Sequence, residues 1–451
     1  MTHTVGSAVD TAAMTALDSA HVIHPHRLAR HSETIVMVRG EGSRVWDTEG
    51  REYLDGTAGL ALTQVGHGRP ELAAAAERQM RQLDYYPSFW EYSNPRAIEL
   101  ATRLIELAPG DLTKVFFTSG GSDGVEAAIR MARLYHYQRG ATGRTVILSR
   151  RGAYHGVGYG SGSLTGFADY HVGFSPMLPD VQHLTPPWAY RRELFDGHDP
   201  TDFCLRELER TIEEIGPGRI AAFVGEPVMG VAGMVTPPDD YWSRAEALLR
   251  AHGILLVADE VICGYGRTGH WFASERYDIT PDIMVTAKGL TSGYFPLGAV
   301  LVSGAVAEQL DLGPDGFPIG YTYTGHPTGC AVALANLDVI ERENLVRRAA
   351  ELGRSLLAAL APLADLPVVG EVRGAGLMIA LELVRDTAAG TAVGANIARY
   401  VREEHGIIVR PHETVVSISP PLVLTDAEAD RLVAALRDAL TRVGPDGTVR
   451  R

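Results

Sequence analysis

Asp282-Ile283-Met284-Val285-Thr286-Ala287-Lys288-Gly289 sets a single lysine at the end of an apolar run. The run has the length and β-branched content of a buried strand. A lysine delivered by a core strand loses hydration, and that loss favours the neutral amine. A neutral amine can attack an aldehyde and form a Schiff base. Taken alone, such a lysine is more often a side chain snorkelling to solvent from a strand end. Ile254-Leu255-Leu256-Val257-Ala258 is a second run of the same kind, and it ends in Asp259-Glu260. Taken alone, Asp259 reads as a helix cap or turn residue. Together, one strand-end lysine and one strand-end carboxylate supply an aldehyde anchor and a partner for a protonated ring nitrogen. Pyridoxal 5'-phosphate (PLP) needs both groups.

The same texture repeats outward from these runs. From about residue 70 to 325, helical patterns alternate with short apolar runs at 114–118, 145–148, 220–224, 254–258 and 283–286. Strands separated by helices need crossover connections, so the runs predict an α/β fold whose mainly parallel sheet is covered by helices. After Pro327 the pattern changes. One long helix from 329 to about 359 leads to extended stretches at 372–383 and 407–410 and a helix over 426–440, which reads as a smaller α+β domain. Residues 44–55 predict a hairpin about a Glu49-Gly50 turn. The expected division is an N-terminal arm and hairpin packing with the small domain (1–69), a large domain (70–325), and a linking helix with the small domain (326–451). Residues 1–20 are small and polar, and their tip is expected to be mobile.

Composition narrows the class. The chain has 451 residues, 45% hydrophobic and 21% charged, as a globular enzyme of two or three domains would. A net charge of −14, with no Lys/Arg run longer than two residues, argues against nucleic-acid partners. The three cysteines, Cys204, Cys263 and Cys330, show no CxxC spacing, which points to a reduced, cytoplasmic setting without disulfides or a zinc cage. No signal peptide and no apolar run of membrane-spanning length is read from the sequence. His21, His24, His26 and His31 crowd the leading segment, but no ligand spacing completes a metal site.

The run at 114–118 leads into Ser119-Gly120-Gly121-Ser122, and a helix is expected from Asp123. Glycines let an anion approach the backbone closely, and free amides at a helix start face it with a favourable dipole. Ser122 adds a hydroxyl. The plain alternative is a Gly/Ser turn with Ser122 as a cap. The spacing fits neither a P-loop nor GxGxxG, so no NTPase or dinucleotide fingerprint is present.

Five segments carry a resemblance: FFTSGGSDGVE at 116–126, GEPV at 225–228, VADEVICGYGRTG at 257–269, TAKG at 286–289 and YTYTGHP at 321–327. In order and spacing the chain resembles the class III aminotransferases, PLP enzymes of fold type I that include the ω-amino acid and amine transaminases. The resemblance runs from about Val45 to the C-terminus. It implies transfer of an amino group from a primary amine or ω-amino acid to a keto acid, pyruvate first, through a Schiff base on Lys288 and pyridoxamine phosphate. Lys288 would also move the substrate proton, and Asp259 would keep the ring nitrogen protonated. Val261 would pack on one ring face and Tyr154, next to His155 in the YHG motif, on the other; Gly121 and Ser122 would hold the phosphate. Thr322 would reach the phosphate of the neighbouring subunit, which implies a homodimer with shared active sites and leaves a higher oligomer open. Without the resemblance, Tyr154 and His155 read as loop-packing residues.

On the substrate side, Arg410 follows the strand-like 405–409 and matches an arginine that grips carboxylates through its planar fork. Glu226 is the glutamate to which it would turn when an uncharged amine enters. By itself Arg410 reads as a surface residue. Tyr85, Tyr86, Phe89, Trp90 and Tyr92 would line the pocket, although aromatic clusters are more often core. Ala61 stands where many amine transaminases carry tryptophan, which implies a roomier pocket and argues against small arylamines as natural donors. The same fold hosts decarboxylation, racemisation and aminomutase chemistry, and these stay as alternatives here. A nicotinamide-dependent dehydrogenase lacks its glycine fingerprint, and a regulator lacks an appended DNA-binding domain.

Overall fold

The chain enters the fold through a three-stranded meander: β1 (Met37–Glu41), β2 (Arg44–Asp47) and β3 (Glu52–Asp55), all antiparallel. The expected hairpin at 44–55 is therefore present. Asp47 holds its turn, accepting from the Glu49 and Arg51 amides at 2.9 Å each and from the Tyr53 hydroxyl at 2.8 Å. The computed structural model describes residues 10–26, 34–311, 317–384, 392–412 and 414–451. Within the leading segment, Thr11–His21 forms a helix, and the tip expected to be mobile lies outside the described residues. Asp10 starts the helix by accepting from the Ala13 amide at 3.1 Å. Residues 1–9 and His31 lie outside the described residues, and His24 pairs with Asp18 at 2.9 Å. Among the described residues no group of three or more side chains could hold a metal, and no helix is long and apolar enough to cross a membrane.

The main sheet has seven strands: β4 (Leu112–Thr118), β5 (Val146–Arg150), β6 (Val181–Leu184), β7 (Ile220–Gly225), β8 (Leu255–Asp259), β9 (Ile283–Thr286) and β10 (Gly298–Ser303). Their order is β4-β10-β9-β8-β7-β5-β6, parallel from β9 through β6. β10 runs against both its neighbours. The link from β9 to β10 is too short for a covering helix, so the chain can only return antiparallel. Every residue of β5, β7, β8, β9 and β10 is buried, which is why the strands read as continuous apolar runs. Alternate residues serve opposite faces. Val224, Val257 and Val285 pack with Ala128 and Ile129 of the helix Gly121–Gln138, while Phe223 and Leu256 pack with Leu208, Trp242 and Ala245. Each such fully buried side chain contributes roughly 1.5–3 kcal/mol.

The C-terminal sheet is β11 (Val369–Ala375), β12 (Met378–Leu383), β15 (Val415–Ile418) and β14 (Arg410–His412), in that order. The stretch 372–383 is thus two strands of a hairpin, not one run. β13 (Ile407–Ile408) leaves this sheet and pairs parallel with β3, placing Ile407 opposite Leu54. The single long helix expected from 329 to about 359 is instead two helices, Pro327–Arg342 and Leu345–Leu360. Asn344 between them is left-handed at φ +52°, a conformation that ends a helix. The final helix, Asp426–Thr441, begins with a capping box between Thr425 and Glu428. All three cysteines are buried and unpaired.

Arg267 joins segments far apart in the chain. It is fully buried, donates to Gln64 Oε1 at 3.0 Å, to the Leu377 carbonyl at 3.4 Å and to the Pro420 carbonyl. Burial lowers its pKa to about 9 while the charge of Asp55 opposes the fall, and carbonyl oxygens accept its hydrogen bonds. The left-handed turn gives a clean test. Asn344→Gly should leave the urea unfolding midpoint near wild type, whereas Asn344→Val should cost about 1–2 kcal/mol because a β-branched residue resists positive φ.

Candidate active site

The C-terminal ends of β7, β8 and β9 and the start of the helix Gly121–Gln138 enclose a cavity of about 190 Å³. Parallel strands end in step, so Asp259 of β8 lies opposite Val285 of β9, and Lys288 follows just beyond. The cavity is lined by Gly121, Ser122, Tyr154, His155, Glu226, Asp259, Val261 and Lys288, together with Gly156 and Ile262. Eight expected residues thus meet at one place, although the five stretches that carry them are far apart in sequence.

Asp259 is held from two sides. Its Oδ2 lies 2.7 Å from His155 Nδ1, and its Oδ1 accepts from the Val261 amide at 3.1 Å. His155 is buried, and its own amide donates to Thr165 Oγ1 at 3.0 Å. Its second nitrogen, Nε2, has no partner among the described residues, so among them Asp259 is the group that orients the ring. Glu226 fixes the neighbouring loops, accepting from the Tyr154 amide at 3.1 Å and the Gly230 amide at 2.8 Å. Burial pushes the Glu226 carboxyl above its usual pKa, with Asp259 adding to the rise and His155 opposing it.

Lys288 is not itself in the strand. It opens a short turn, Lys288–Leu290, with φ +45°, two residues past the end of β9. A lysine in the left-handed region is strained, and the strain aims its side chain into the cavity rather than along the strand. Burial lowers its pKa, Arg410 adds to the fall, and the charges of Asp259 and Glu226 pull it back up.

The anion-ready turn starts its helix at Gly121, two residues earlier than expected. Gly121 is required, because a Cβ there would stand 2.8 Å from Val261 Cγ1. Ser122 is not a cap; its Oγ accepts from the Val157 amide at 3.3 Å. Arg410 opens β14 instead of ending the preceding strand. It is half-buried and has no ion pair among the described residues. Burial lowers its pKa, and the phenols of Tyr170 and Tyr154 oppose that fall. Tyr170 packs edge-on against Tyr154, with ring centres 5.7 Å apart. Gly156 and Ile262 line the cavity and Tyr170 stands against Tyr154 without having been expected: Tyr170 ends a three-residue 3-10 turn too short to show a period, and one glycine or isoleucine carries no chemical signal.

Ala61, Phe89, Trp90 and Arg410 are not among the residues lining the cavity, and neither is Thr322, which was expected to serve the neighbouring subunit. Ala61 is buried in the hydrophobic core. Phe89 packs against Gly320, Trp90 is 84% exposed, and Thr322 is exposed with its carbonyl accepting from the Tyr85 hydroxyl at 2.7 Å.

With this geometry in hand, comparison with known proteins is decisive. The family model described as aminotransferase class III matches residues 27–440. The chain belongs to the class III aminotransferases. It is similar to a thermostable (S)-enantioselective omega-transaminase from Thermomicrobium roseum, at 45% identity and a TM-score of 0.92, covering 97% of this chain and 99% of that one. Among curated relatives, a diaminobutyrate–2-oxoglutarate transaminase of Halomonas elongata is 40% identical, over 91% of this chain and 92% of that protein. A putrescine–pyruvate aminotransferase of Pseudomonas aeruginosa is 38% identical, over 90% of each. The chain is therefore a PLP-dependent transaminase of fold type I, working between an amine and a keto acid. The cavity suits the cofactor: unpaired amides at a helix start for its phosphate, a carboxylate for its ring nitrogen, and a desolvated lysine for its aldehyde.

The environment of Lys288 has a measurable sign. In protein stripped of cofactor, capture of an added aldehyde at Lys288, trapped with borohydride, should rise with pH to a midpoint below the ordinary lysine value of 10.5. Asp259→Asn should move that midpoint further down by removing an attraction for the ammonium. Arg410→Ala should move it up.

Proposed function

We propose that this transaminase takes its amino group from a primary amine or ω-amino acid and gives it to pyruvate. The supporting observation is the juxtaposition of a desolvated lysine and a doubly held carboxylate in one cavity, with an arginine near enough for its charge to act on Lys288 and Tyr154. When bound, PLP supplies an aldehyde for the lysine and a ring that accepts electrons from the substrate carbon. Gly121 and Ser122 offer amides and a hydroxyl to the phosphate. Asp259, fixed by His155 and the Val261 amide, keeps a proton on the ring nitrogen. Val261 and Tyr154 confine the ring between them. Lys288 anchors the aldehyde, yields that place to the incoming amine, and then carries a proton at Nζ to and from the substrate carbon. Arg410 binds the carboxylate of the keto acid, and Glu226 receives it when a neutral amine enters.

The reading extends to a homodimer. Trp90, Tyr86, Tyr92 and Tyr323 are exposed aromatics on a single chain, and Thr322 is exposed and not among the residues lining its own cavity. A second copy covering this face would bury them and bring Thr322 to the partner's phosphate, with Phe89 and Trp90 walling the partner's substrate space. The same reading divides the chain into 1–69, 70–325 and 326–451, and every residue lining the cavity belongs to the second part.

Two experiments test these assignments. Lys288→Ala should lose the borohydride-reducible link to the cofactor together with turnover, and a variant that still transaminates near the wild-type rate would remove Lys288 from its role. Arg410→Ala should weaken use of pyruvate by the ~2–5 kcal/mol typical of a lost, desolvated charge pair. The half-reaction with a carboxylate-free amine should change little. Subunit sharing is checked by mixing: a heterodimer of Lys288→Ala and Thr322→Ala chains holds one intact site and should recover part of the activity. No recovery after confirmed exchange would mean that each site is built from one chain.

A further inference from the structure

A second group of buried charges lies where the loop after β6 meets the C-terminal sheet. Glu382 of β12 is fully buried, and both its oxygens are engaged. Oε1 accepts from Arg191 and from Thr414 Oγ1, the latter at 3.1 Å, and Oε2 accepts from Arg373 Nη2 at 2.8 Å. Arg373 also donates to the Gly233 carbonyl at 2.8 Å and to Glu371 at 2.6 Å. Both guanidiniums share the ring of Trp188, at 4.8 Å for Arg191 and 4.9 Å for Arg373. Tyr190 presses on β11 at Gly370, where a Cβ would stand 1.9 Å from the phenol oxygen.

Two positive and two negative charges balance here, the condition under which buried ions are tolerated. Guanidinium donors have fixed directions, so the cluster sets relative positions and not only attraction. Its members come from three places. Arg191 and Trp188 belong to the loop beside the main sheet, Glu371, Arg373 and Glu382 to β11 and β12, and Thr414 to the turn of the β14–β15 hairpin. That hairpin is a continuous ladder in which His412 lies opposite Val415 and Arg410 opposite Ser417. Arg410 has no ion pair of its own among the described residues, so the docking of its hairpin decides where its guanidinium stands.

We propose that the Arg191–Glu382–Arg373 cluster is a positioning device for carboxylate recognition. By tying the turn at Thr414 to the loop beside the main sheet, it sets how far Arg410 reaches into the cavity and so which keto acids fit. The inference rests on the role given to Arg410 above.

The test follows both half-reactions of the holoenzyme by cofactor absorbance in Arg191→Ala, Arg191→Lys, Thr414→Val, Arg410→Ala and the Arg191→Ala/Arg410→Ala double variant. Arg191→Ala should raise the KM for pyruvate about tenfold or more while leaving the rate with a carboxylate-free amine within about twofold, and Arg191→Lys should recover part of the loss. The double variant should lose no more than Arg410→Ala alone, because the residues act as one unit. If Arg191→Ala does not fold, Thr414→Val, which removes one hydrogen bond and no charge, should show the same asymmetry at smaller size. Equal losses in both half-reactions overturn the proposal, and so does a double-variant loss equal to the product of the single losses; Arg410 then keeps its role. If Arg410→Ala itself uses pyruvate like wild type, the reading of Arg410 fails, and this inference falls with it.

Discussion

Taking charge out of water is the constraint around which this protein is arranged. A main sheet covered on both faces leaves little solvent near its strand ends, so each ionisable group there is paired, shifted toward its neutral form, or braced by dipoles. Asp259 takes the first course through His155 and the Val261 amide. Lys288 and Glu226 take the second, pushed in opposite pKa directions by the same burial. Arg267 takes the third, with carbonyl oxygens accepting its hydrogen bonds. Glu260, next to Asp259, combines the last two: burial raises its pKa to about 7 while the amides of Ala273 and Ser274 donate to it at 3.0 and 2.6 Å. Neighbouring carboxylates on one strand end are thus kept apart in character by what surrounds them.

Strain adds to electrostatics at the same spot. Lys288 sits at positive φ, a conformation a lysine does not choose. The turn holds because Gly289 and Leu290 behind it are buried and their carbonyls accept from Asn336 Nδ2 at 2.8 and 3.0 Å. Asn336 belongs to the helix Pro327–Arg342, so packing in one part of the chain maintains an unfavourable backbone angle in another.

Much of this was legible in the sequence because fully buried parallel strands are written as unbroken apolar runs. The strands at 220–225, 255–259 and 283–286 could be read directly, as could the carboxylate and the lysine that follow them. Where the physics is not local, reading failed. The helical pattern continues across 343–344, and only the backbone angle of Asn344 breaks it. β10 is as apolar as its neighbours, and its reversal follows from the length of a connection. Tyr170 reaches the site from an irregular turn, and Arg410 from a strand of three residues, too short to leave a period. Phe89 and Trp90 were read as pocket residues from an aromatic cluster, and no pattern within one chain could say that they would stand outside its own cavity.

The cysteines give the molecule a practical property. Cys204, Cys263 and Cys330 are all enclosed, and burial pushes the Cys204 thiol up to about 12 and the other two up as well. A thiol that does not ionise near neutrality reacts sluggishly with maleimides or disulfide reagents. The folded surface is in effect blank to such chemistry, so one cysteine introduced on an exposed helix would be a unique attachment point for a dye, a surface or a crosslinker.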